Sequence, residues 1–293
     1  MPQVLISLTR LSAMKIENKP YEYFIGDECV SRLINKANYA QTSGCSLFGP
    51  KDQNLFQNSA LADLVGFEVV RCMNSEEFDH FRSSVLCYVS NFFGLEFDSA
   101  DSLNDSLRNM SDAEFHKSIV KLYKGIPFKH LPFGRSYFEE ICSNCANSAL
   151  SFETFSGSVE GPMVRMVRPF KGDFNPPHRD IYIDRLKSKL NVYLPIFGSS
   201  ELSSLPLVEG SHKWFDSETQ RTENGPTIDG LPFSVPAILS MVDSTPLRMK
   251  RPIVDNGELM LFSPYLIHGG AMNLSKNVRI SLEMRFSLKT NFT

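Results

Sequence analysis

The sequence predicts a mainly β protein with helical decoration, its core a double-stranded β-helix of the jelly-roll kind. Two observations carry that expectation. From Met163 onward, short runs rich in β-branched and aromatic residues recur between Pro, Gly and Asn signals. Before that point apolar residues recur at helical spacing. Short strands after a helical region fit one barrel buttressed by helices better than two independent domains, and 293 residues can bury a core of that size.

Residues 75–93 place Phe78, Phe81, Val85, Leu86, Val89, Phe92 and Phe93 on one helical stripe that stops at Gly94. Ser111-Asp-Ala-Glu114 is a capping-box signature, in which Ser and Glu side chains satisfy backbone N–H groups of the first turn; it opens a helix that should end near Gly125. Ser136 through Ala146 reads as another helix. Strands are expected from Met163 to Phe170 and over 178–184, 190–197, 205–209, 257–263 and 278–287. The chain thus divides into an N-terminal helical region, 1–155, packed on a barrel formed by 156–293. Residues 214–256 interrupt the strand series with Pro, Gly, Ser, Thr and charge, too long for an ordinary turn. Such an insertion would lie over the barrel mouth as a lid, or form a plain surface loop.

A net charge of -3 and a pI near 6.1 leave no electrostatic footprint for nucleic acid or an anionic membrane. No apolar run reaches the ~18 residues that a membrane span needs. Met1 through Arg10 lacks a basic start and a cleavage site, so no secretory signal is read and a cytoplasmic setting is expected. All six Cys fall in the first half, most simply as free thiols. Cys142-Ser-Asn-Cys145 has no second pair at zinc-ribbon spacing and falls inside the last helix, which argues against a zinc or redox role.

The chemistry is concentrated in a scattered set: His178 and Asp180 in Pro-Pro-His-Arg-Asp-Ile-Tyr-Ile, His268 before Gly-Gly, and Arg279 eleven residues further on. Two imidazoles and one carboxylate occupy one face of a six-coordinate Fe(II) and leave positions for an organic cosubstrate and dioxygen. On an extended strand, residues two apart share a face, so His178 and Asp180 can point inward while Arg179 points out. His-x-Asp alone arises by chance in many chains. A kinase catalytic loop is excluded, because Arg185 stands where the Asn five residues after Asp180 belongs. His212, in Gly210-Ser-His-Lys-Trp214, reads as a turn residue ordering its loop.

Leu190-Asn-Val-Tyr-Leu-Pro-Ile-Phe, then Leu207-Val-Glu-Gly-Ser-His-Lys213, then His268 through Arg279-Ile-Ser-Leu-Glu-Met-Arg-Phe286 resemble the phytanoyl-CoA dioxygenase-like family of Fe(II)/2-oxoglutarate oxygenases. The resemblance spans about residues 160 to 287, with Glu209 where the family more often has Pro. It implies that His178, Asp180 and His268 bind iron and that Arg279 holds the distal carboxylate of 2-oxoglutarate, a role suited to a planar guanidinium. Ser281 shares a strand face with Arg279 and could donate a further hydrogen bond. Asn191 and Tyr193 occupy a region from which the family draws other cosubstrate contacts. For Asn191 a polar residue satisfied by backbone is an equal reading. Related halogenases carry a small residue at the carboxylate position, leaving a place for chloride; Asp180 therefore favours hydroxylation, or another oxidation from a ferryl-oxo species, over chlorination.

The reaction so implied is hydroxylation of a small or medium-sized metabolite with dioxygen as co-reactant. Arg165, Arg251 and Arg285 could present positive charge to an anionic substrate, although each is also an ordinary ion-pair partner. The competing expectation is a metal-binding jelly roll of cupin type, an isomerase or sensor without dioxygen chemistry. Arg279 and Ser281 weigh against it, since such a protein needs no 2-oxoglutarate anchor.

Overall fold

The computed structural model describes residues 15–40, 61, 65–96, 99–154, 159–172 and 175–289. Strands β1 (Lys15–Ile25), β2 (Glu28–Asn38) and β3 (Phe67–Arg71) come first. Helices α1 (Ser75–Phe93), α2 (Ala100–Asn109), α3 (Asp112–Leu122) and α4 (Arg135–Ala146) follow. The rest is β: β4 (Leu150–Phe152), β5 (Met163–Val167), β6 (Lys189–Phe197), β7 (Thr219–Arg221), β8 (Thr227–Ile228), β9 (Leu231–Pro232), β10 (Ile238–Met241), β11 (Leu247–Met249), β12 (Glu258–Phe262) and β13 (Arg279–Leu288).

One antiparallel sheet runs β3-β12-β6-β13, and the far side of β13 pairs with β5 along 279–283 and with β4 along 286–288. Strand side chains alternate between faces, and this sheet uses both. Leu190, Val192, Leu194 and Ile196 of β6, with Ile280, Leu282, Met284 and Phe286 of β13, pack on Phe78, Phe81 and Val85 of α1 and Phe138 of α4. The alternate residues, among them Asn191, Tyr193, Met260, Phe262, Ser281 and Arg285, therefore face the barrel interior.

The second layer orders β11-β1-β2-β8-β9, with β11 parallel to β1. Isolated bridges extend it from Lys250 to Leu207, from Leu207 to His268 and from His268 to His178. Tyr193, Met260 and Phe262 of the first sheet meet Leu205, Leu207 and Leu266 of this layer, closing the jelly roll over an inner apolar cluster.

Helix α1 begins where the sequence places it, because Asn74 and Glu77 form a reciprocal capping box, and ends at Gly94 in the left-handed conformation. The Ser111 capping box opens α3 in the same way. Other expectations need correction. The N-terminal part is not helical throughout: β1 and β2 form a long hairpin turning at Gly26-Asp27, and it belongs to the barrel's second layer. Its alternation is masked by Pro20, Asn18 and many charged residues, although a two-residue turn containing Gly was a legible hairpin signal. Residues 178–184 are no strand; after a single bridge at His178 the backbone coils into 3₁₀ turns at Asp180–Tyr182 and Asp184–Leu186. Only Leu207 of 205–209 pairs, again as a bridge. The 214–256 stretch contributes β7 to β11 and is built into the fold. The amino-terminal ten residues and Cys45 lie outside the described residues. No helix among the described residues is long and apolar enough to cross a membrane.

Candidate metal centre

His178 and His268 face one another across an antiparallel bridge, each backbone N–H donating to the other's carbonyl at 2.9 and 3.0 Å. The His268 segment is gripped from its other side too, where Val208 N donates to Ile267 O at 2.8 Å and Gly269 N to Pro206 O at 3.2 Å. The two imidazole rings lie 4.4 Å apart. His178 Nδ1 donates to Pro176 O at 2.8 Å, and His268 Nδ1 to Leu266 O at 2.9 Å. A carbonyl can only accept, so each Nδ1 carries the hydrogen and each ring turns its Nε2 to the pocket.

Asp180 N is held by Pro264 O at 3.1 Å, which sets the carboxylate beside the imidazoles: Oδ1 is 3.5 Å from His178 Nε2. One donor atom from each of His178, Asp180 and His268 lies within 4.8 Å of the others, and all three residues are buried. Among the described residues no other His, Cys, Asp and Glu group of three comes together this way. Burial, with the neighbouring His178, pushes His268 down to about 4, so its imidazole is neutral at physiological pH. Burial by itself would raise the Asp180 carboxyl, but Arg285 together with the imidazoles outweighs it and holds the group well below the ordinary range. A neutral imidazole and an ionised carboxylate are the forms that ligate a metal.

Arg285 Nη2 donates to Asp180 Oδ2 at 2.9 Å, and Arg285 Nε to Asn191 Oδ1 at 2.9 Å. Among the described residues Asn191 Nδ2 is buried without a hydrogen-bond partner, while its Oδ1 accepts from Arg285. The pocket beside the triad is lined by Arg165, Asn191, Tyr193 and Arg285, all anticipated, and by Glu283 and Phe262, which were not. Phe262 packs its ring edge-on against His268, with centroids 4.9 Å apart. Glu283 could have been found by parity, since it shares the strand face of Ser281 and Arg285 on β13. Tyr193 Oη shares a 2.8 Å hydrogen bond with Ser199 Oγ.

Arg279 and Ser281 lie on the same face of β13, fully buried, but outside the lining of this pocket. Arg279 Nη1 donates to Ser203 O at 3.2 Å, while Ser281 Oγ is buried with no partner among the described residues. Arg251 stands away from the triad; its guanidinium holds the Ser204 carbonyl and donates to Met272 O at 2.6 Å. Burial and the nearby Arg279 push it down to about 10. Arg165 Nε pairs with Glu283 Oε2 at 3.0 Å. All three arginines expected to greet an anion are thus engaged by the protein. Arg179 lies outside the lining of the metal pocket, yet it is buried and not solvated; its Nη2 donates to Ser211 O at 2.8 Å. His212 is buried where a Cβ on Gly66 would strike its ring, a packed position consistent with loop ordering.

A model of the phytanoyl-CoA dioxygenase (PhyH) family matches residues 98–281, well over half of the chain. The chain belongs to the phytanoyl-CoA dioxygenase family. Its oxidoreductase chemistry is that of a dioxygenase using iron(II) and 2-oxoglutarate, and the donor set fits: two imidazoles and one carboxylate on one side of an open pocket. The matched stretch takes in the triad, Arg279 and Ser281 and stops before Glu283 and Arg285. No curated protein matches the chain. Similar solved structures are distant. AviO1 from Streptomyces viridochromogenes Tue57 is 13% identical over 84% of this chain and 97% of its own, with a TM-score of 0.43. EctD from S. alaskensis, solved with 2-oxoglutarate and 5-hydroxyectoine, is 12% identical over 95% and 85%, with a TM-score of 0.45. The 2-oxoglutarate-dependent epimerase SnoN from nogalamycin biosynthesis is 13% identical over 80% and 83%, with a TM-score of 0.43.

Proposed function

We propose that this oxygenase hydroxylates a small or medium-sized metabolite, with iron(II) on His178, Asp180 and His268 and 2-oxoglutarate anchored by Arg279 and Ser281. The triad carries the proposal, because its two Nε2 atoms and one carboxylate are pre-set by hydrogen bonds to Pro176 O, Leu266 O and Arg285. The partnerless Ser281 Oγ on the face of Arg279 supports the anchor, since a buried hydroxyl without a partner is costly unless a ligand supplies one.

When bound with 2-oxoglutarate, iron(II) supplies the dioxygen chemistry that oxidises a substrate C–H bond. The chain contributes geometry. Pro176 O and Leu266 O fix both imidazoles, Arg285 fixes the orientation of the Asp180 carboxylate, and Phe262 covers one flank of His268 against water. Asn191 Nδ2 offers a buried donor at the pocket wall.

Under anaerobic conditions, iron(II) plus 2-oxoglutarate should give a weak visible charge-transfer band, absent from His178→Ala and His268→Ala. A wild-type protein that takes zinc tightly with a fourth protein ligand and shows no such band would overturn the assignment.

A further inference from the structure

The pocket beside the triad is polar where side chains enter it. Arg165, Asn175, Asn191, Tyr193, Glu283 and Arg285 line it, against Leu205 and Phe262 as apolar side chains. Val192 and Met284 also contribute atoms, but their side chains belong to the core under the helices.

Charge in the pocket is balanced within the protein. Arg285 meets Asp180 at 2.9 Å, and Arg165 meets Glu283 at 3.0 Å while its guanidinium lies 5.3 Å from the centre of the Tyr123 ring. A substrate carboxylate or phosphate seeking Arg165 or Arg285 would have to break one of these pairs. Glu283 gives only Oε2 to a protein partner; among the described residues its Oε1 has none, and the side chain is 23% exposed within the lining. A carboxylate oxygen can only accept, so its complement is a donor. In a half-enclosed site, that donor recovers a hydrogen bond that an acceptor or an apolar group would forfeit.

We infer that Glu283, held in place by Arg165, is a specificity-determining residue that selects substrates carrying an amine or a hydroxyl beside the carbon to be oxidised, and disfavours anionic ones. The inference rests on the oxygenase reading for the meaning of the pocket and goes beyond it in naming the substrate class. Glu283 lies past the stretch matched by the family model.

Two matched probe sets test it: glucosamine, glucose and gluconate, and hexylamine, hexanol and hexanoate. Each is titrated calorimetrically into the full chain, with and without iron(II) and 2-oxoglutarate under argon. In wild type, the amine or the alcohol of a set should bind at least about tenfold more tightly than the carboxylate, as expected for one charge-assisted hydrogen bond gained and a like-charge contact avoided. Glu283→Gln should remove the amine preference, Glu283→Asp should keep part of it, and Glu283→Lys should turn it toward carboxylates. The amine and alcohol arms tell which donor is preferred. A carboxylate binding best to wild type, no donor preference in either set, or an unchanged ranking in folded Glu283→Gln overturns the inference. Failure of the oxygenase reading shows itself differently, as a missing iron and 2-oxoglutarate band, and leaves the metal-free ranking readable.

Discussion

Arg285 ties the pocket wall to the carboxylate of the candidate metal site, because its guanidinium spans Asp180 Oδ2 and Asn191 Oδ1. Asp180 is 2% exposed, so deleting its partner leaves a buried charge uncompensated. Arg285→Ala should therefore destabilise the metal-free protein by about 3 kcal/mol, the lower end for a broken buried pair because Arg285 itself is partly exposed. A divalent metal then takes over the neutralising role, so manganese(II) should raise the Tm of the variant more than that of wild type. Equal metal-induced shifts in thermal denaturation would show that Arg285 does not govern the Asp180 charge. Arg279 makes a separate prediction. Arg279→Ala should weaken 2-oxoglutarate binding at least about tenfold, since a charge-assisted hydrogen bond is worth about 1.5–3 kcal/mol, with little change in metal affinity. Titration of the charge-transfer band with 2-oxoglutarate checks it, and unchanged binding would remove Arg279 from the anchor.

At the scale of the element, the metal centre depends on a turn. Gly269 has φ +91°, and a Cβ there would lie 2.9 Å from both His178 Nδ1 and Pro176 O. The residue after the second ligand thus has to be glycine both for its backbone and for the room the first ligand needs. Gly269→Ala should cost about 1–3 kcal/mol and displace the His178 ring, losing the iron and 2-oxoglutarate band. Gly230→Ala is the matching control: φ is +80° but nothing lies within 4 Å of the added Cβ, so only the backbone cost of about 1 kcal/mol applies and the band should persist. Parallel thermal melts and anaerobic spectra of the two variants separate strain from collision.

At the scale of the whole molecule, the helices shield one face of a sheet whose other face carries the chemistry, and the cysteines record that shielding. Cys142 is fully buried in the helix-sheet core. Burial pushes the Cys72 thiol up to about 12, and its Sγ donates to Gly257 O at 3.3 Å. Below that pH the group stays a thiol, and only the thiolate alkylates. Native protein treated with iodoacetamide at pH 8 should therefore label the exposed Cys29 and Cys87 and spare Cys72 and Cys142 until denaturant is added. Mass spectrometry reads the outcome, and rapid native labelling of Cys142 would mean that the helical layer opens from the barrel.

By itself the sequence determined the helix limits at Ser75 and Gly94 and the strands β5, β6, β12 and β13, and it singled out His178, Asp180 and His268, which the fold brings together, because caps, glycine stops, apolar alternation and ligand residue types are local signals. Strand parity along β13 also aimed Arg285 inward. Only the tertiary structure decided what lies opposite each of these residues. The β1–β2 hairpin enters the barrel through pairing with β8 and β11, more than two hundred residues away for β11, so its charged and proline-broken sequence did not announce a barrel strand. Asp180 reaches the metal face from a 3₁₀ turn and not a strand, fixed by Pro264 O. The pocket arginines were legible as charges, but their partners Glu283, Asp180 and the Ser204 carbonyl come from the pairing of distant segments. Whether a cation is offered to a ligand or spent within the protein is settled by such contacts, and no local pattern encodes them.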